Sequence, residues 1–283
     1  MSRIVYVNGR YVAYAQAAVH VEDRGFQFAD AVYEVCEVYR GHLVDLPRHL
    51  ARLGRSLGEL SIRPPMSEAA LALVMRRVVS RNRVSNGMVY LQVSRGAAPR
   101  DFVPPADIEP TLVCLARPLS RARQDAQAAK GIAVMTMPDI RWGRCDIKTV
   151  MLLPACLAKT AAHAEGAKEA WLVDAQGFVT EGAASNAWIV DEAGRLVTRR
   201  ADNAILPGVT RATLLDAIDR LGLELVVRPF RPAEAQRARE AFITSATNTV
   251  MPVVSIDGVI LGTGEPGPTT CRLRAIFRDY AHV

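Results

Sequence analysis

Lysine is nearly missing from this 283-residue chain. Of 35 basic residues, four are lysine (Lys130, Lys148, Lys159 and Lys168) and the rest arginine. A lysine that persists against such a bias asks for a task that a permanently charged guanidinium cannot perform. Cysteine is scarce as well. The five thiols are odd in number and form no C-x-x-C pair, which fits reduced, intracellular thiols better than a disulfide framework or a zinc site. No stretch of about 18 apolar residues occurs, and MSRIVYVNGRYVAY lacks the apolar core of a signal peptide, so a cytoplasmic protein is expected. Aromatic residues make up 6% of the chain and do not interleave with its densest basic run, RRVVSRNR (Arg76 to Arg83). The net charge of +6 is otherwise dispersed, and no groove-tracking surface for nucleic acid is expected.

Strands and helices alternate in clusters rather than as strict βαβ units, which predicts an α+β chain. IVYV and RYVA flank Asn8-Gly9, a type I′ hairpin signal. AVYEVCEVY (Ala31 to Tyr39) reads as a strand with Tyr33, Val35 and Glu37 on one face. Pro47 opens a helix with Leu50, Leu53, Leu57 and Leu60 at helical spacing, and a second helix covers roughly Glu68 to Val79. SRARQDAQAAKG is polar and small. The chain therefore divides into a small N-terminal α+β domain (1–119), an interdomain link (120–130) and a larger C-terminal domain (131–283).

In RWGRCDIKTVMLLPACLAK, Pro154 is tolerated only in the first turn of a helix, so that helix begins at about Met151 to Pro154. Lys148 then falls just before a helix N-terminus, where the dipole disfavours an ammonium. An uncharged lysine amine is the nucleophile that forms Schiff bases with aldehydes. A solvated lysine beside Asp146 is the plainer reading, and Lys159 inside the helix is a rival; position alone does not separate them.

Three later segments carry polar groups that suit an anion or a ring nitrogen. LPGVTRATLLDAI places Gly208 before a helix whose first amides, at Val209 and Thr210, would receive a phosphate. FITSATNT gathers hydroxyls at Ser245 and after it, and TEGAASNAW puts Glu181 at a strand end. Each is equally compatible with an ordinary capped helix or turn.

Taken in order, these segments resemble the fold-type IV pyridoxal-phosphate (PLP) enzymes, the family of the D-amino-acid and branched-chain aminotransferases and of aminodeoxychorismate lyase. DIRWGRCDIKTVMLLP, VTEGAASNAW, ILPGVTR and FITSATNT are similar to the D-amino-acid aminotransferase branch, as are DRGFQFADAVYEV, PRHLARL and VSRGAAPRDF. The resemblance implies two α/β-type domains with the cofactor in the cleft between them. It implies that Lys148 is the Schiff-base lysine and that Glu181 pairs with the pyridine nitrogen. Arg52, Val209, Thr210, Ser245 and Ala246 would hold the phosphate. The family segment often carries threonine where Ala246 stands, leaving a backbone N–H as the contact there. Tyr33 resembles a tyrosine projecting into the site, and Arg100 the arginine that receives the substrate α-carboxylate, supplied by the neighbouring subunit of a homodimer. Phe102 stands where that branch has a histidine.

The implied activity is a ping-pong transfer of an amino group from a D-alanine-like amino acid to a 2-oxo acid such as 2-oxoglutarate or pyruvate. A branched-chain L-amino-acid aminotransferase, an (R)-amine transaminase and aminodeoxychorismate lyase are the alternatives within the fold. A non-catalytic binding module is the alternative outside it.

Overall fold

The computed structural model describes residues 3–281 and separates into two compact units. The first comprises the residues up to Arg121 together with Ile147–Met151, and the second comprises Ala122–Asp146 and Leu152–Ala281.

The first unit is built on a six-stranded antiparallel sheet. Its strands are β1 (Ile4–Val7), β2 (Arg10–Ala13), β3 (Ala31–Tyr39), β4 (His42–Leu43), β5 (Gly87–Ser94) and β6 (Thr111–Pro118), in the order β2-β1-β6-β5-β3-β4. The Asn8-Gly9 turn has φ of 41° and 90°, as a two-residue hairpin of this hand requires. A short helix, α1 (Arg24–Phe28), precedes β3, and Asp23 caps it by accepting from the Gly25 amide at 2.9 Å. Two longer helices, α2 (Leu46–Glu59) and α3 (Glu68–Arg81), pack on the sheet, α2 against β3 and α3 against β5 and β6. Their spacing explains this. Leu50, Leu53 and Leu57 of α2 and Leu71, Met75 and Val78 of α3 are buried, as are Val89, Leu91 and Val93 on alternate positions of β5. Each such side chain contributes roughly 1.5–3 kcal/mol by leaving water. Buried Val32, Glu34 and Cys36 alternate along β3 with half-buried Tyr33 and Val35, so β3 presents Tyr33 on its more open face.

The second unit opens with α4 (Arg121–Lys130), followed by β7 (Ile132–Pro138), α5 (Leu153–Ala164), β8 (Glu169–Val173), β9 (Val179–Gly182), β10 (Asn186–Val190) and β11 (Leu196–Thr198). It continues with α6 (Val209–Arg220), β12 (Leu225–Val227), α7 (Pro232–Ala235), β13 (Glu240–Ser245), β14 (Thr249–Ile256), β15 (Val259–Ile260) and α8 (Pro268–Tyr280). The strands form one mixed sheet in the order β12-β11-β10-β13-β14-β7-β8-β9, with β15 added to β14. On one set of side chains Trp171 packs against Phe230. On another, Trp188 stacks on Phe242 beside Leu214 of α6 and Leu273 of α8.

The segment 120–130 is helical over Arg121–Lys130, because its alanines, glutamines and arginines are strong helix formers even though Ala128 is its one buried residue. The two units do not divide at a single cut. The chain passes at Ile147 from the second unit to the first and returns at Leu152, so Lys148 folds with the N-terminal unit.

Candidate active site

Lys148 sits on an extended segment added to β3. The Tyr33 amide donates to the Lys148 carbonyl at 3.0 Å, the Val150 amide donates to the Ala31 carbonyl at 3.0 Å, and Val32 pairs with Thr149. The Lys148 amide donates to the Ser56 hydroxyl of α2 at 3.3 Å. The first helical residue after it is Leu153, five positions on. That start agrees with the helix expected to begin between Met151 and Pro154, and the backbone of Lys148 is fixed by its pairing with β3. The ammonium nitrogen lies 4.2 Å from the centre of the Tyr33 ring, and Tyr33 stacks on Tyr90 with ring centres 5.6 Å apart. Burial pushes the Tyr90 hydroxyl up to about 12, which keeps it a neutral donor, and it bonds Gln92 at 2.7 Å.

Behind Tyr33 on the same strand, Glu34 is 2% exposed. Arg52 grips it with a two-pronged fork, Nε to Oε1 and Nη2 to Oε2, both at 2.8 Å. His49 Nδ1 lies 2.7 Å from Oε2. Burial alone would raise this carboxyl, but the Arg52 charge and the hydrogen bonds from Arg52 and His49 overcome it and hold it down to about 2. Glu34 therefore fixes the plane of the Arg52 guanidinium.

In the second unit, Glu181 on β9 is 4% exposed and densely bonded. Arg141 Nη1 donates to Oε1 at 2.6 Å and Asn186 Nδ2 to Oε2 at 2.9 Å, while the Leu206 amide is shared between both oxygens at 3.1 Å. Arg141 also forks onto Asp139, with Nε to Oδ1 at 2.9 Å and Nη2 to Oδ2 at 2.8 Å. Burial works against charge on Asp139, but the Arg141 fork and the Thr180 hydroxyl keep its carboxyl below the usual carboxylate range. One cation thus balances two carboxylates.

Asn186 gathers the remaining parts. Its Nδ2 also donates to the Leu206 carbonyl at 3.0 Å, and in the sheet it pairs with Thr244, the residue before Ser245. A Cβ on Gly208 would lie 2.1 Å from Asn186 Oδ1, so only glycine lets the chain enter α6 at this point. Gly208 supplies no side-chain cap, and Val209 and Thr210 occupy the first turn of α6, where backbone amides lack intrahelical acceptors. Ser245 and Ala246 lie at the turn from β13 to β14, where the Asn248 amide donates to the Ser245 hydroxyl at 3.3 Å.

The structure thus groups the anticipated residues into three sets. Lys148, Tyr33 and Arg52 cluster along β3, and Glu181, Val209, Thr210, Ser245 and Ala246 are organised around Asn186. Arg100 and Phe102 form a third group, with the Arg100 guanidinium 5.0 Å from the Phe28 ring and the Phe102 ring 5.6 Å from it. The rival Lys159 has its ammonium 3.4 Å from the buried Glu169. Sequence reasoning passed over Glu34, Arg141 and Asn186. Glu34 was legible as a carboxylate on the inward face of a strand, and Asn186 as an amide at the start of the strand after Glu181. Arg141 carried no local sign.

The model of the amino-transferase class IV family matches residues 31–256. The D-alanine aminotransferase of Bacillus licheniformis is 39% identical over 275 residues, covering 97% of this chain and 96% of that protein. That of Listeria innocua is 39% identical over 276 residues, covering 96% and 94%. Among solved structures, the branched-chain amino acid aminotransferase of Escherichia coli superposes with a TM-score of 0.88 at 24% identity, covering 98% of this chain and 94% of that one. A hypothetical aminotransferase of Mycobacterium tuberculosis, solved in its PLP-bound form, gives 0.84 at 20% identity and covers 98% of each chain. The long match to the family model and the near full-length identity to curated relatives make this chain a member of the class IV aminotransferases.

Proposed function

We propose that this protein is a PLP-dependent D-amino-acid aminotransferase, moving an amino group from a D-alanine-like donor to a 2-oxo acid such as pyruvate or 2-oxoglutarate. The observation that carries it is that one chain holds both a strand-mounted Lys148 and a Glu181 carboxylate immobilised by three donors, and is 39% identical to D-alanine aminotransferases. The donor set suits PLP. It offers an amine for an aldehyde, a carboxylate for a pyridinium, and a glycine-entered helix start with a hydroxyl-bearing turn for a phosphate. Bound there, PLP supplies an electron sink for negative charge developing at the substrate Cα.

The chain's own residues supply the rest. Lys148 would hold the cofactor covalently and, once displaced by substrate, move the proton at Cα as general acid and base. Glu181 would keep a proton on the ring nitrogen, because Arg141 and Asn186 prevent it from turning away. Val209, Thr210, Ser245, Ala246 and Arg52 would bind the phosphate, with Arg52 held in plane by Glu34. Arg100 would fork onto the α-carboxylate and so set which face of Cα meets the lysine, with Tyr33 and Phe102 beside the substrate. A homodimer in which Arg100 serves the neighbouring copy agrees with the exposure of Val21, Phe26, Phe102 and Val103, each more than 70% open in a single chain. The cysteines are free thiols, which fits a cytoplasmic setting.

The branched-chain L-amino-acid reading stands second, ranked lower because Pro99-Arg100 retains the arginine of the D-specific pattern. Mixing the PLP form with D-alanine, D-glutamate or L-leucine and following its visible absorbance separates the two. Rapid bleaching by D-alanine is expected, and bleaching by L-leucine without any by D-alanine would reject the D-specific assignment.

A further inference from the structure

The motif DRGFQFADAVYEV contains a buried arginine with no role so far. Arg24 is 5% exposed, a rare position for a guanidinium. Its Nε donates to Asp30 Oδ2 at 2.9 Å. Its two terminal nitrogens reach across to another segment, Nη1 donating to the Asp101 carbonyl at 2.5 Å and Nη2 to the Phe102 carbonyl at 3.1 Å. The guanidinium also lies 4.7 Å from the Phe28 ring, the same ring that carries Arg100 at 5.0 Å and Phe102 at 5.6 Å.

Residues 100–103 have no regular structure. Their one internal hydrogen bond, among the described residues, runs from the Val103 amide to the Asp101 carboxylate at 2.9 Å. Among the described residues, Arg24 makes the hydrogen bonds that tie this loop to the rest of its unit. The other side of Arg24 is firmly anchored. Asp30 also accepts from Arg95 Nε at 2.7 Å and Nη2 at 3.0 Å, and Arg95 holds the Leu60 and Ser61 carbonyls at the end of α2 at 2.8 and 3.0 Å. Asp30 immediately precedes the strand that bears Tyr33. A three-membered chain of charges, Arg95–Asp30–Arg24, thus connects α2 and β3 to two consecutive carbonyls beside Arg100.

We propose that Arg24 is a positioning residue of the α-carboxylate site, clamping the Asp101 and Phe102 carbonyls so that Arg100, laid on Phe28, is presented in one orientation. This rests on Arg100 as the carboxylate receptor. A guanidinium suits the task because its planar fork serves two acceptors on one side and Asp30 on the other, whereas a lysine ammonium cannot span all three.

The test uses the holoenzyme with Arg24→Met, Arg24→Lys and, as control, Arg100→Gln. Arg24→Met is expected to raise KM for both D-alanine and pyruvate by roughly 10- to 100-fold, with kcat within about threefold, because the misplaced group acts on binding of the carboxylate. The visible absorbance of the holoenzyme should be retained. Amide hydrogen exchange over residues 100–103, located by mass spectrometry, should accelerate about tenfold with no change in β3 or β5, since the released loop opens locally. Arg24→Lys should fall between, and it decides the matter if Arg24→Met does not fold. Unchanged exchange over residues 100–103 overturns the clamp. Parallel loss of kcat and absorbance, or faster exchange across the sheet, makes Arg24 a fold residue and also overturns it. If exchange accelerates while Arg100→Gln leaves KM unchanged, the carboxylate assignment of Arg100 has failed, and with it the proposed role of Arg24.

Discussion

Lys148 is anchored through its backbone, whereas Glu181 is anchored through its side chain. The peptide groups around Lys148 are bonded to β3 and α2, and its ammonium has the face of Tyr33 for company. The Glu181 carboxylate takes hydrogen bonds from Arg141, Asn186 and the Leu206 amide. The difference matches the roles proposed for the two. A group that would bond covalently, be displaced and then shuttle a proton needs a fixed root and a free tip. A group that would hold a ring nitrogen protonated needs a fixed tip, because any rotation would remove the charge from where it is required.

The sharpest way to break this comparison is to keep the root and change the tip. Lys148→Arg preserves charge and approximate size but offers no amine that can lose its proton. Transamination should fall on the order of 10³-fold or more, with the visible absorbance of the PLP form gone. Retained absorbance would show that the lysine is not the point of attachment.

Removing a partner of the fixed carboxylate should act on stability as well as rate. Arg141→Met leaves Asp139 and Glu181 buried without their shared cation, and a loss of about 3–5 kcal/mol is expected in urea unfolding. A variant as stable as the parent would mean that the network does not hold Glu181 in place.

A smaller effect lies at Glu34, whose carboxyl is held down to about 2 against an ordinary 4.5. Its contribution is present in full above about pH 4.5 and disappears as pH falls through about 2. Thermal midpoints of the parent should decline across that window, and those of Glu34→Gln should decline less steeply. Equal slopes would remove Glu34 from the acid response.

The smallest change is expected at the rival lysine. Lys159 is 42% exposed at its side chain and pairs with Glu169, so Lys159→Arg should alter stability by no more than about 0.5 kcal/mol and leave the rate untouched. A large rate loss there would return Lys159 to the active site.

The elements that were legible in the sequence are those set by neighbours along the chain. The Asn8-Gly9 hairpin, the β3 alternation, the Pro47 and Pro154 helix starts and the glycine entry to α6 each follow from residues a few positions apart. At 120–130 the polar composition marks a link, and its helix follows from the propensity of alanine and glutamine. Arg141 and Arg24 were invisible in the sequence. Beside a near carboxylate, each has a second partner 40 or 77 residues away, and no local pattern distinguishes a buried, doubly engaged arginine from the many on the surface.

What the sequence alone determined is chemical capability: a lysine kept where arginine was the default, a carboxylate at a strand end, and a glycine that lets a helix begin close to other groups. Only the tertiary structure decided how those capabilities are held. It paired the backbone around Lys148 with β3, gave Glu181 donors from Arg141, Asn186 and the Leu206 amide, and put Arg24 under the Arg100 loop. Residue type and near-neighbour spacing constrain what a side chain can do. Burial and long-range pairing set the geometry and charge in which it does it.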